Sequence, residues 1–149
     1  MSKSNQWESD ALKLLFQNIA CTLVGDAAGL LPSAAAGNLY ISLHTADPGE
    51  AGDQTTNETA YTNYARVAVV RSSGGWTVSG TAPTQVANAA TVAFPQCGAS
   101  GATLTHFGIG TSSSGAGKLL YSAALTASLA VSNLITPQFT AGQLVVTED

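Results

Sequence analysis

His44 and His106 are the only imidazoles in the sequence. His44 closes the run Leu39-Tyr-Ile-Ser-Leu-His44, and His106 sits within Thr105-His-Phe-Gly. Asp47, Glu50, Asp53 and Glu58 follow His44 closely, so a metal site is the first chemistry to consider. Zinc sites usually draw on closely spaced His and Cys pairs, and this chain has none. Calcium takes six or more oxygen ligands, but the EF-hand spacing D-x-[DN]-x-[DN]-G is missing. Acids at three-residue intervals read instead as the solvated face of a loop. Each histidine reads as a strand residue hydrogen-bonded to backbone. No metal and no cofactor is expected.

Other catalytic patterns also fail. Gly110-Thr-Ser-Ser-Ser-Gly-Ala-Gly-Lys118 looks like a phosphate loop, but Ser112 stands where a Walker motif needs Gly, and Leu119 where it needs Ser or Thr. A Gly/Ser turn between strands explains the run better. There is no G-x-S-x-G elbow, and the strand-like segments hold no acid before Glu148 that could serve as one of a glycosidase's paired carboxylates. Cys21 and Cys97 lie far apart in apolar surroundings and read as buried thiols. The sequence therefore predicts a protein that is not an enzyme.

What remains is composition. Charged residues make up 9% of the 149 residues, and apolar residues 45%; an average soluble protein carries roughly 25% charged residues. A surface of Ala, Gly, Ser and Thr suits a protein covered by neighbours. The net charge is −4. Lys3, Lys13, Arg66, Arg71 and Lys118 are scattered, so no basic stripe forms for nucleic acid. No run reaches the roughly 18 apolar residues of a membrane span, and the first residues lack a signal-peptide pattern. Synthesis in the cytoplasm is expected, with no membrane partner.

One segment carries helical periodicity: Leu12, Leu15, Phe16, Ile19, Ala20 and Leu23 share a face. With Asn5 or Ser9 as cap and Gly25 as stop, the helix is expected from about Glu8 to Val24. From Asn38 onward short β-rich runs dominate, at Leu39–His44, Ala65–Arg71, Trp76–Ser79, Ala90–Phe94, Leu104–Gly110, Leu119–Ser122, Leu129–Val131, Gln138–Phe139 and Leu144–Thr147. Asp47–Asn63 reads as a long exposed loop, and Thr81–Ala89 as a polar connection. The expected fold is mainly β: a single-domain, jelly-roll-like β-sandwich over residues 38–149, preceded by a helix and linker over residues 1–37.

Leu39-Tyr-Ile-Ser-Leu-His-Thr-Ala-Asp-Pro-Gly-Glu50 is a distinctive run. Together with Tyr64–Val69, Thr105–Gly110 and Leu119–Ser122, in that order, it resembles a family of small structural proteins of tailed phages and prophages. The resemblance covers roughly Leu39 to Asp149. Members are labelled tail-fibre-like, and the family is also similar to the jelly-roll cement proteins that decorate some capsids. The resemblance implies a virion structural protein and carries over no catalytic residue. The leading expectation is a capsid cement protein, self-associating as a dimer or trimer and bridging subunits of the major capsid protein. The alternative is a tail-fibre or tail-tip subunit that binds tail proteins and contacts the host surface. Trp7, Leu12 and Phe16 are the expected contacts with a neighbouring subunit, and Asp47 and Glu50 the next candidates.

Overall fold

The computed structural model describes residues 3–81 and 83–148. Among these residues one helix, α1 (Asn5–Gln17), precedes nine strands: β1 (Asn38–His44), β2 (Val67–Val70), β3 (Trp76–Ser79), β4 (Thr84–Asn88), β5 (Val92–Ala93), β6 (Ala102–Gly110), β7 (Leu119–Val131), β8 (Gln138–Phe139) and β9 (Val145–Glu148). The protein is mainly β, with one N-terminal helix and several antiparallel sheets.

The chain divides into two compact units. The first comprises Met1–Asn38, Val70–Thr91 and Phe139–Asp149. Here α1 starts at Ser4, whose hydroxyl accepts from the Trp7 amide at 3.3 Å, satisfying one of the orphan donors of the first turn. The helix stops at Gln17, not at the expected Val24. Asn18 turns into the left-handed region (φ 56°), and its side chain clasps Ser33: Nδ2 donates to the Ser33 carbonyl and Oδ1 accepts from the Ser33 amide, each at 2.9 Å. The last turn holds no basic residue, but Arg71 donates to the carbonyls of Leu14 and Leu15 at 2.8 and 2.6 Å. It supplies from a distant segment the cation that a helix C-terminus favours.

The apolar face of α1 packs on the sheet β3-β4-β9 of its own unit. Phe16 meets Trp76 edge to face at 4.8 Å, and both are fully buried with Leu12, Val86 and Leu144. β4 corrects the expectation of a polar connection over Thr81–Ala89. Thr84, Val86 and Asn88 alternate inward, and the buried Asn88 amide is fully engaged. It donates to the carbonyls of Ala90 and Thr140 and accepts from the Leu144 amide. A polar side chain so satisfied buries without penalty from missing bonds.

The second unit comprises Leu39–Val69 and Val92–Gln138. Its main sheet runs β2-β1-β6-β7, with β1 and β6 in antiparallel register from Tyr40↔Gly110 to His44↔His106. Leu39, Ile41, Leu43, Leu104 and Ile109 form its apolar core. Tyr61, Tyr64 and Phe94 form an aromatic cluster, with ring centroids 5.3 and 6.3 Å apart. The two short runs expected at Leu119–Ser122 and Leu129–Val131 prove to be one strand, β7, joined through a bulge at Leu125–Ser128 opposite Thr105.

Candidate assembly surface

The helix stripe is not available to a neighbour. Leu12 and Phe16 are buried in their own unit, and of the three expected contacts only Trp7 stays accessible, 40% exposed. The expectation that Leu12 and Phe16 tie the protein to another subunit is corrected by their packing on Trp76 and β4.

The Asp47–Asn63 stretch is less exposed than its composition suggests. Gln54 and Thr59 are buried. The Thr59 amide donates to the Leu43 carbonyl and the Thr45 amide to the Asn57 carbonyl, both at 2.9 Å, which lays the returning loop along the end of β1. The Gln54 amide reaches the Ala116 carbonyl, and its Oε1 accepts from the Ser112 amide at 2.8 Å. Gln54 lies against Gly110, where a Cβ would meet the Gln54 side chain at 2.2 Å. Asp53 accepts from the Thr55 hydroxyl and amide, which holds its carboxyl below the ordinary range.

His44 lies beneath this loop, fully buried. Its Nδ1 is 2.9 Å from the Thr56 carbonyl, and its Nε2 is 2.8 Å from the Ser42 hydroxyl. A carbonyl can only accept, so Nδ1 carries the proton and Nε2 accepts from Ser42. Burial lowers the His44 pKa and outweighs the Thr56 bond, which raises it; the neutral ring is the stable form. The space for this pair comes from Gly108, where a Cβ would lie 2.7 Å from Ser42 Oγ and 2.8 Å from His44 Nε2. Ser42 is as buried as His44, and the imidazole, held by Ser42 at Nε2, latches β1 to the loop through the Thr56 carbonyl. The i, i+2 spacing of Ser42 and His44 in a strand was the signal for it, and a search for nucleophile motifs passes over it.

A second latch is ionic. Arg66 donates from Nε and Nη2 to the two oxygens of Glu58 at 2.6 and 2.7 Å, and also to the carbonyls of Ser112 and Gly115. Tyr64 donates to Glu58 at 2.8 Å and accepts from the Leu43 amide. The fork geometry suits Arg and not Lys, and it binds the loop, β1 and the Ser112–Gly117 turn into one network. Burial pushes the Tyr64 phenol strongly up and the Tyr61 phenol up to about 12.

Asp47 and Glu50 remain exposed. They line an open groove of about 630 Å³ with His106 and the consecutive residues Leu119–Ala124 of β7. Among the described residues no group of three or more His, Cys, Asp and Glu side chains is arranged to hold a metal. No described helix is long and apolar enough to cross a membrane.

β7 has thirteen residues, none charged, and among the described residues it ends its sheet with β6 on one side only. Apolar side chains are also exposed elsewhere, notably Leu23 (81%) and Leu31 (69%) in the segment after α1. The described surface thus combines exposed apolar side chains with few charges. The sequence profile of the podophage GP4 fiber I protein gp80 family matches residues 2–147. The chain belongs to this family. It is a structural protein of the tailed-phage virion, as the resemblance over Leu39–Asp149 implies, and the match extends that pattern through α1. No curated protein matches the chain.

Proposed function

We propose that this protein is a fibre-type subunit of a podophage virion, which works by burying neutral surface against copies of itself and against adjoining tail proteins. The observation that carries the reading is exposed apolar surface on a family of virion proteins: Leu23, Leu31 and Leu134 are each more than two-thirds exposed, and β7 is exposed over most of its length without a charge. The fibre role that names the family supports the tail location.

Capsid cement, with the major capsid protein as partner, is the second reading. The same surface chemistry favours it, since cementing also works by contact. Copies per particle separate the two. Quantitative mass spectrometry of purified virions, scaled to the major capsid protein, should give a few to a few dozen copies for a fibre. Hundreds of copies would replace the fibre reading with cement.

A further inference from the structure

Among the described residues, five other than glycine hold a positive φ: Asn18, Asn57, Asn63, Leu23 and Leu134. Asparagine tolerates that left-handed backbone, whereas the Cβ of leucine crowds the following carbonyl. Both leucines are also exposed, Leu23 by 81% and Leu134 by 68%. Each position thus carries two costs, and burial in the chain's own core offsets neither. Leu134 shows most clearly how such a residue is held. The Ile135 amide donates to the Ser132 carbonyl at 3.0 Å, closing a four-residue turn between β7 and β8. Asn133 keeps φ negative while Leu134 has φ 71°, the sign pattern of a type II turn, whose third residue favours Gly or Asn. The chain places Asn one position too early, and Leu where Asn would relax the turn. The backbone is fixed on both sides all the same. The Leu134 amide donates to the Cys97 carbonyl at 2.9 Å, and the Cys97 amide to the Ile135 carbonyl at 2.8 Å. Gln96 Nε2 donates to the Leu134 carbonyl at 3.0 Å. Strain of this kind persists where the surroundings over-determine it, and it gathers at ligand clamps.

We infer that Leu134 is a pre-set apolar knob that enters an uncharged apolar socket on a different protein of the virion. The inference deepens the contact with adjoining tail proteins in the proposed function and rests on it. A side chain already held in place has less freedom to lose on binding. The surroundings select the occupant. From Ser72 to Thr147, Lys118 is the only Lys, Arg, Asp or Glu, so Leu134 stands in a long neutral stretch. A lipid surface draws peripheral proteins through cations beside the apolar contact, and the turn has none. A strongly charged protein would meet no opposite charge there. A second copy of the chain offers the groove of Asp47, Glu50 and His106, where a leucine would strip water from carboxylates without replacing its bonds. The complement is a socket without charges, on another protein.

The test pairs the stability of the free chain with its incorporation into particles. Leu134→Asn removes the strain and the apolar side chain together, and should raise the unfolding midpoint of the free protein by about 2–4 °C. In infected cells, the variant supplied from a plasmid competes with the wild type. Its ratio to wild type in purified virions, divided by that in the lysate, should fall about tenfold by quantitative mass spectrometry. Asn133→Leu with Leu134→Asn keeps the composition and moves the knob by one residue; it should compete as poorly. A Leu134→Asn midpoint at or below that of the wild type overturns the inference, and so does wild-type incorporation of either variant. Self-association weakened by Leu134→Asn in sedimentation equilibrium also overturns it, since the occupant is then a copy. Flotation of the wild type, but not of Leu134→Asn, with phosphatidylethanolamine–phosphatidylglycerol vesicles does the same in favour of a membrane. Absence of the wild type from particles removes the virion reading itself, whereas equal competition removes the knob alone.

Discussion

Ile19–Gly37 and Asp47–Asn63 both run long without helix or strand, and their composition misleads in opposite directions. The first is rich in Leu, Val and Ala, yet Ile19, Leu23, Val24, Leu30 and Leu31 all stand in solvent. The second is acidic and rich in Thr and Gly, yet it buries Gln54 and Thr59 and covers His44. The difference lies in where the hydrogen bonds go. In Asp47–Asn63, bonds from the interior of the stretch run to β1 and to the Ser112–Gly117 turn. In Ile19–Gly37, the long-range bonds gather toward the end: Asn18 with Ser33, and Arg71 with Ser33, Ala36 and Gly37. The Cys21–Leu30 bridge is local. Backbone bonds to β1 and to the Ser112–Gly117 turn carry the polar stretch inward, although Gln54 Nε2 and the Thr59 hydroxyl are buried there without a hydrogen-bond partner, whereas the apolar stretch is tied mainly at its end.

Breaking the ionic latch should have the largest effect. Arg66→Ala leaves Glu58 without its partner beneath the loop, where the Arg66 side chain is 3% exposed, and should cost about 3–5 kcal/mol in urea unfolding. Overfilling the space beside the Ser42–His44 pair comes next. Gly108→Ala drives a Cβ into contacts of 2.7 Å and should cost about 1–3 kcal/mol.

Acid should loosen the same loop by a smaller amount. The His44 pKa in the folded protein lies below the ordinary 6.5, so as pH falls through 6.5 the unfolded chain takes up the proton first. The stabilisation from neutral His44 is complete above that value, declines as pH falls toward the lowered folded pKa, and levels off below it. Stability measured against pH should show this decline in the wild type, and His44→Gln should flatten it. The smallest effect belongs to the other stretch. Leu23→Ser, at a side chain 81% exposed, should change the stability of the free protein by no more than about 0.5 kcal/mol. A loss of several kcal/mol there would show that Ile19–Gly37 belongs to the core, and the comparison would collapse.

Periodicity made the core of this fold legible. The Leu12–Phe16 spacing marked the inward face of α1, alternation marked β1 and the segment holding β2, and short β-rich runs marked β3 and β6. It failed where burial depended on side-chain bonds that no pattern shows. β4 hid because Thr84 and Asn88 look like loop residues until Asn88 meets Thr140 and Leu144. The helix end hid because Ile19 and Leu23 continue the stripe that Asn18 interrupts. For the assembly surface, the sequence pointed to Trp7, Leu12 and Phe16, of which the protein's own sheet covers Leu12 and Phe16. Asp47 and Glu50 were found on accessible surface, but the groove they line with β7 needs strand order and register, which are long-range facts.

The central claim is that contact surface is this protein's working part, and hydrogen–deuterium exchange of the free protein against the intact virion tests it directly. The account predicts that the amides of Leu119–Ala124 and of Leu23–Leu31 exchange fast in the free chain under dilute conditions and become protected in the particle. Amides within the latched loop, such as those of Gln54 and Thr59, should be slow in both. Equal exchange of the exposed segments in both states would contradict the account.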